Sequence, residues 1–541
     1  MENSYSSKSL DHLGIVSGMI DELGIVEEID KYLHTDGSER VLSLGLLCKA
    51  LILNGLGFTQ RTMYMVPTFF EGKPTEQLLE KGVHASQLDD TVLGRCLDAL
   101  HGFGCTTLYA NLAPVICKRL GLSPKNVHMD STDFHVDGVY NSRESEVEGQ
   151  VIHVRQGYSR DHRPDLNQVV LNLIVDNEAG IALHMQGMDG NMSDKTAFNN
   201  TIKEHIGQLQ AVYDIDYVVM DSAGYTEKTL LDCGTTVKWV SRVPETLKES
   251  KKAIESTYDN WQALSQGYQY VPLDSKYANI GQRWLLVYSE EAYGREIGTL
   301  KKNYAKGSDK EYHAYLKLVR SGFDCIKDAK KAADSFMKKC KYLSFNNLGF
   351  NQVPFFDKKG RPRKEEAPAG HLFYIQADVG CDIARFKAAA HTKGKFIIAT
   401  NELDKVQLAD EKLFETYKGQ SKVERGFRFL KDPQFMAATF FVKKPERIEA
   451  LLFIMTLCLT VYAAIEHRVR QKLQQENQTL PNQLGQEVKN PTARWIFSCF
   501  NGIHVLYLDK KPIVLNMKPL HLKILDILGG QYRKYYFLEQ G

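Results

Sequence analysis

The sequence predicts an α/β protein, with a helical N-terminal segment followed by a mixed sheet with crossing helices. Three observations carry the prediction. Residues 1–122 show helical periodicity and helix-ending glycines. Residues 123–244 show three strand-like runs in a row, then helix, strand, helix and strand. At 541 residues, with 43% hydrophobic and 25% charged, the chain has the make-up of an ordinary globular protein of several domains.

In the first segment Leu42–Leu56 is apolar on most sides and should be a buried helix. Asp89 or Asp90 can cap a helix through His101, with Gly102 after it, and Cys105–Leu120 should be a third, ended by Gly121. Met1–Val66 holds five Lys and Arg against nine Asp and Glu, so a helix-turn-helix reading is weak there. The N-terminus is polar and does not read as a signal peptide.

The sheet follows. Asn126–Val139 is the first strand and contains His128-Met-Asp130-Ser-Thr132. Gln168–Asp176 and Ile181–Met188 are joined by the turn residues Asn177-Glu-Ala-Gly180. Ser193-Asp194 caps a helix to about Gln210. Asp216–Ala223 is a strand ending in Met220-Asp221-Ser-Ala-Gly224, Thr226–Cys233 a helix and Val237–Val243 the fifth strand. This order resembles a ribonuclease H-like fold, which would make the first and fourth strands central neighbours. A single Asp at a strand end is most often a turn former; Asp130 and Asp221 at these two places form a candidate pair.

Further on, Tyr268–Glu290 holds two expected strands and Glu291–Lys341 reads as helices with 13 Lys and Arg against 7 Asp and Glu. Lys358–Lys364 is a basic loop, Gly370–Asp378 a strand and Lys395–Asn401 another. With a net charge of only +2, any nucleic-acid surface must be a local patch such as this one; a solvated helix face is the other reading. Ala450–Ile465 is an apolar run of 16 residues, fewer than the roughly 20 that a bilayer needs, and is expected to be a core helix rather than a membrane span. His467–Gln475 reads as polar helix. Pro491–Phe500 and Ile513–Leu528 suggest a further small module. The ten cysteines are scattered, the closest pair being Cys96 and Cys105, with no Cys-x-x-Cys; that argues against structural zinc and fits a reducing cytoplasm.

Tyr417–Lys431 carries the densest chemistry. Taken as one helix, it places Tyr417, Gln420, Glu424, Arg428 and Lys431 within an arc of about 80°, and Asp432-Pro433 stops it. A carboxylate among basic groups is, by itself, as readily a solvated surface pair. The spacing, however, resembles the Y-R-E-K pattern of DDE transposases from bacterial insertion sequences (the IS-four superfamily). Tyr417, Gln420, Glu424 and Lys431 are the matching residues, with Gln420 where the family usually has Arg. Asp130-Ser-Thr132 resembles the first Asp of the DDE set and Val219-Met-Asp221 the second. The Leu-Gly-Ile-Val repeats, Lys49–Asn54, Leu88–Gly94 and Gly157–Asp165 resemble the IS-sixteen-thirty-four branch.

The resemblance implies an α/β fold with a ribonuclease H-like catalytic core, an all-α N-terminal domain and a mixed α/β insertion domain, which the spacing of 203 from Asp221 to Glu424 leaves room for. The expected layout is 1–122 helical and end-binding, 123–244 and 394–470 core, 245–393 insertion and 471–541 a C-terminal module for dimerisation. Asp130, Asp221 and Glu424 would be the catalytic and metal-binding carboxylates for Mg²⁺, with Mn²⁺ substituting. Tyr417, Gln420, Arg428, Lys431, Arg160, His162 and Arg163 would contact DNA, Arg428 making up for the charge missing at Gln420. Related enzymes that form a hairpin intermediate stack a flipped base on an aromatic near the signature helix; Phe396 and then Trp239 are the candidates, although an aromatic on a strand is usually core. The expected partners are the element's terminal inverted repeats, target DNA and a second copy of the chain, in a bacterial cytoplasm. A nuclease that cuts without joining and a non-enzymatic DNA-binding derivative are the alternatives.

Overall fold

The computed structural model describes residues 5–33, 41–58, 63–136, 151–158, 163–357, 367–432, 442, 444–508 and 511–537. The chain divides into two compact units. One is Met1–Arg242 with Ser275–Arg283 and Ala399–Gly541; the other is Val243–Asp274 with Trp284–Ile398.

In the first unit β1 (Asn126–Val136), β2 (Asn167–Asp176), β3 (Ala182–Met188), β4 (Tyr217–Met220) and β5 (Trp239–Arg242) form a mixed sheet. β1 runs antiparallel to β2, with Asp130 opposite Leu173, and parallel to β4, with Met129 opposite Met220. β5 lies parallel to β4, Met220 facing Ser241, and β3 pairs with β2. The apolar run of β2 is buried along nearly its whole length, as a strand covered on both faces must be. Asp176 builds the β2–β3 turn: its carboxylate accepts from the N–H groups of Glu178, Ala179 and Ile181, and Gly180 takes φ +76°.

The helices follow their caps. Leu44–Leu56 is buried at every residue, and Ser43 Oγ accepts from the Leu46 N–H at 3.1 Å. Asp89 accepts from the Thr91 and Val92 N–H groups and starts Asp90–Phe103. That helix runs through Gly102; it is Gly104, at φ +99°, that ends it. Cys105–Leu120 ends at Gly121 as expected. Three later helices of the unit bear on the site: α1 (Asp410–Lys418), α2 (Ser421–Leu430) and α3 (Pro445–Gln475). Among the described residues α3 is the one helix long and apolar enough to cross a membrane, but 89% of its apolar window is buried inside the protein. It packs against Leu44–Leu56, Asp90–Phe103 and β3. Tyr109 ties this junction, its Oη 2.7 Å from Thr460 Oγ1 and donating to the Ala182 carbonyl at 3.1 Å.

The N-terminal segment is not purely helical. Tyr5–Ser9 is a strand paired with His504–Leu508, which in turn pairs with Lys511–Leu515. The tail Gly530–Tyr536 lies on the helix Leu13–Leu23, where Tyr532 and Tyr536 sit so close over Gly18 and Gly14 that a Cβ would come within 2.5 and 2.7 Å of their rings.

The second unit holds the long helix Glu290–Val319, the helix Ile326–Lys339 and a hairpin of Leu343–Phe355 with Gly370–Cys381. Ala329, Ala333 and Ile375 are its packed centre, with Phe323, Phe350 and Phe373 against them. Lys301, Lys302, Lys338 and Lys339 are exposed. The basic loop Lys358–Lys364 lies outside the described residues. The strands expected between 268 and 290 are Tyr268–Tyr277 and Ile280–Ser289.

Candidate active site

β1 buries a run of polar groups: His128, Asp130, Ser131, Thr132 and Asp133. Buried polar atoms are costly unless paired, and most of these have partners. His128 Nε2 is 3.0 Å from Asn177 Oδ1, and Asp130 Oδ1 accepts from the Ser131 N–H at 2.8 Å. Ser131 Oγ donates to Asp194 Oδ1 at 2.7 Å, and Lys431 Nζ lies 3.4 Å from Asp133 Oδ1.

Strand register sets the centre of the site. Met129, Met220 and Ser241 are aligned across β1, β4 and β5, and Asp130 within β1, Asp221 just past β4 and Arg242 at the end of β5 each come one position after that pairing. Adjacent strands lie about 4.8 Å apart. Asp221 is held just past β4: its Oδ1 accepts from the Ala223 N–H at 2.8 Å and its carbonyl from Ser241 Oγ at 3.0 Å.

The stretch expected as one helix is two, α1 and α2, joined at Gly419–Gln420. The junction is tightened: the Gln420 N–H donates to the Tyr417 carbonyl and the Val423 N–H to the Gln420 carbonyl, both three residues back. Gly419 explains why the chain can approach so closely here. A Cβ on it would lie 2.0 Å from Asn177 Oδ1 and 2.8 Å from His128 Nε2. α2 packs against β1. The regular 80° face therefore gives way to a seat at the strand ends, with Tyr417 on one helix and Glu424 on the next.

Tyr417 stands among charges. Burial raises its phenol pKa above the ordinary tyrosine value; the hydrogen-bonded Arg242 guanidinium works against that, and the carboxylates of Asp221 and Glu424 add to it. At neutral pH the phenol is therefore protonated and available as a donor. Glu424 and Arg428 are exposed, whereas Gln420 is only 7% exposed.

The other expected contacts fare differently. Arg163 makes a two-point pair with Asp165 within its own loop, Nε to Oδ1 at 2.9 Å and Nη2 to Oδ2 at 2.8 Å. Arg160 and His162 lie outside the described residues. Phe396 is half-buried on the strand Lys395–Thr400. Trp239 is a core residue: it is 0% exposed, with Tyr225 edge-on at 5.8 Å, which leaves no ring face for a base. Arg242, Asp133 and Asp194 were not singled out from the sequence. Arg242 ends the fifth strand and Asp221 directly follows the fourth, so the strand-end rule that found Asp221 could have found it.

All donors at this edge are carboxylate oxygens, the chemistry that hard cations such as Mg²⁺ prefer. Among the described residues no three His, Cys, Asp or Glu side chains stand close enough to hold an ion together. Asp130 and Asp221 each follow the facing residues Met129 and Met220 of neighbouring strands, and Glu424 is within charge range of the phenol that also feels Asp221. Mg²⁺ is commonly held by one or two carboxylates together with substrate phosphates, so this donor set fits it in kind.

Carboxylates on neighbouring strands, beside a helix bearing Glu, Arg and Lys, are the equipment of metal-assisted phosphoryl transfer. The family described as "Transposase DDE domain" matches residues 126–461, well over half of the chain, and the chain belongs to that family. It is a DDE-type transposase, of the metal-dependent nuclease and transferase class. Residues 5–114 match a domain of unknown function, DUF4277. Among solved structures, a piggyBac transposase synaptic complex with hairpin DNA (SNHP), determined by cryo-EM, is similar with 7% identity and a TM-score of 0.35, over 90% of this chain and 78% of that one. No curated protein matches the chain.

Proposed function

We propose that this transposase cuts the ends of a bacterial insertion sequence of the IS-four superfamily and joins the freed 3′ hydroxyls to target DNA. The observation that carries the reading is the parallel pairing of β1 and β4, which brings Asp130 and Asp221 one residue past the facing Met129 and Met220, with α2 packed on β1. We take Asp130, Asp221 and Glu424 as the ligands of Mg²⁺ or Mn²⁺, Glu424 closing on the pair when DNA is bound. The ion, when bound, would supply Lewis-acid charge and an activated water or hydroxyl.

The side chains do the rest. The protonated Tyr417 phenol donates to a phosphate oxygen, and Lys431, paired with Asp133, stands at the end of α2 to meet another. The exposed lysines of Glu290–Val319 and Ile326–Lys339 bind DNA backbone. We further assign 123–244 and 394–470 to a ribonuclease H-like core, 245–393 to its insertion, 1–122 to end binding and 471–541 to dimer contacts in the synaptic complex. Free thiols at all ten cysteines agree with a cytoplasmic setting.

The test is a reaction of the full chain with Mg²⁺, a labelled element end and a target plasmid. Joined product supports transposition. Cut ends that never join indicate a nuclease, and binding without cutting a DNA-binding derivative.

A further inference from the structure

Resting on that transposition reading, the strand register points to a cation that the family pattern does not contain. The family places Arg where this chain has Gln420, and Gln420 is neutral and 7% exposed. Arg428 was the expected substitute, but it is an exposed residue further along α2. Arg242 is better placed. It follows Ser241, which faces Met220, and so comes one position after that pairing, as Asp221 does after Met220 and Asp130 after Met129. Its guanidinium is hydrogen-bonded to the Tyr417 phenol, and Tyr417 is within charge range of Asp221 and Glu424. Unlike Trp239, Val240 and Ser241 before it, Arg242 is partly open to solvent.

We infer that Arg242 grips a DNA phosphate beside the cut and holds the Tyr417 phenol toward it, the work that an Arg at position 420 would otherwise do. The chemistry suits the residue. A guanidinium stays charged at every working pH, and its planar fork matches two phosphate oxygens at once. At the end of a row of carboxylates it offsets their repulsion of the phosphate. A single guanidinium would thereby fix both the phosphate and the orientation of the phenol.

The experiment is single-turnover cleavage of a labelled element end by the full chain, with the salt dependence of end binding measured alongside. The variants are Arg242→Gln, Arg242→Lys, Tyr417→Phe, Arg428→Gln and the double Arg242→Gln/Tyr417→Phe. Arg242→Gln should cut about 10²-fold more slowly, the usual loss for one preorganised donor, and its salt slope should fall by about one. Arg242→Lys should keep the salt slope and recover part of the rate, which separates a phosphate contact from a folding role. The double variant should lose less than the product of the two single losses, because both act through one hydrogen bond. Cleavage by Arg242→Gln close to the wild-type rate with an unchanged slope would overturn the inference, as would a full loss from Arg428→Gln alone. If the wild-type chain binds ends without cutting, the transposition reading fails separately, and the salt slope still decides whether Arg242 meets a phosphate.

Discussion

Gly419 is the tightest point of the candidate site, and Gly419→Ala tests whether the seat of the Glu424 helix matters. The added Cβ would meet Asn177 Oδ1 at 2.0 Å and His128 Nε2 at 2.8 Å, where ordinary contact begins at 3.4 Å. The larger overlap is 3.4 − 2.0, or 1.4 Å. Two relaxations are open. Asn177 can swing away, losing its 3.0 Å contact with His128 Nε2, at about 1 kcal/mol for a neutral hydrogen bond. Alternatively the α1–α2 junction lifts off β1, with overpacking strain of about 1–3 kcal/mol. The second route carries Tyr417 and Glu424 away from Asp221, and a displacement of about 1 Å at a reacting centre can cost about 10²-fold in rate. Urea unfolding and single-turnover cleavage read the two effects. We expect a stability loss of about 1–3 kcal/mol and cleavage slower by about 10- to 100-fold. Adding Asn177→Gly should remove the worst overlap and restore much of the rate. Wild-type stability and rate in Gly419→Ala, or a double variant no faster than the single, would refute the reasoning.

Asp221→Ala should abolish cleavage while end binding and the unfolding midpoint stay near wild type; cleavage at the wild-type rate would remove it from the ligand set. Reversing Lys301, Lys302, Lys338 and Lys339 together to Glu should weaken binding to all DNA sequences and lower the salt slope by up to about four; an unchanged slope would show that these exposed lysines do not meet DNA. Acid should destabilise the fold through two buried imidazoles. Burial, with His205 adding to it, lowers the His184 pKa to about 3. Burial likewise lowers His12 to about 4, the Leu56 carbonyl opposing it. Both folded values lie below the unfolded value of about 6.5, so the unfolded chain binds more protons, and stability present above about 6.5 is lost as pH falls toward the folded values. At pH 5 each His would cost about 2 kcal/mol, and His184→Gln should flatten the melting-temperature profile between pH 7 and 5. A profile equally steep in that variant would locate the acid sensitivity elsewhere.

Much of the fold was legible because local chemistry agreed with the tertiary outcome. Asp89 caps, Gly121 ends a helix and the Asn177–Gly180 turn joins two apolar runs, each a decision made within a few residues. The misses have the opposite character. Tyr5–Ser9 pairs with His504–Leu508 across almost the entire chain, and nothing in Tyr-Ser-Ser-Lys-Ser announces a partner so distant. Leu343–Phe355 was not expected as a strand; it pairs with Gly370–Cys381 through a register shift between Asn346 and Gly349. Gly419 lies inside a convincing helical period, yet the helix breaks there, where Asn177 and His128 come too close for a Cβ.

The candidate site divides along the same line. Asp130 and Asp221 could be read as a pair because the resemblance to a ribonuclease H-like fold makes their strands neighbours, and the two strands do pair, Met129 and Met220 facing each other one residue before the two Asp. Their surroundings depend on side chains arriving from other elements. Asp133 was indistinguishable from any polar residue in a strand until Lys431 was found 3.4 Å from it. Trp239 and Arg242 sit three residues apart on one short strand, yet one is sealed in the core and the other opens toward the phenol of Tyr417. Sequence spacing treats these two alike as residues near the end of a strand. Only the packing of β5 and the seat of the Tyr417 helix separate them, and that separation moves the expected DNA contact from the indole to the guanidinium.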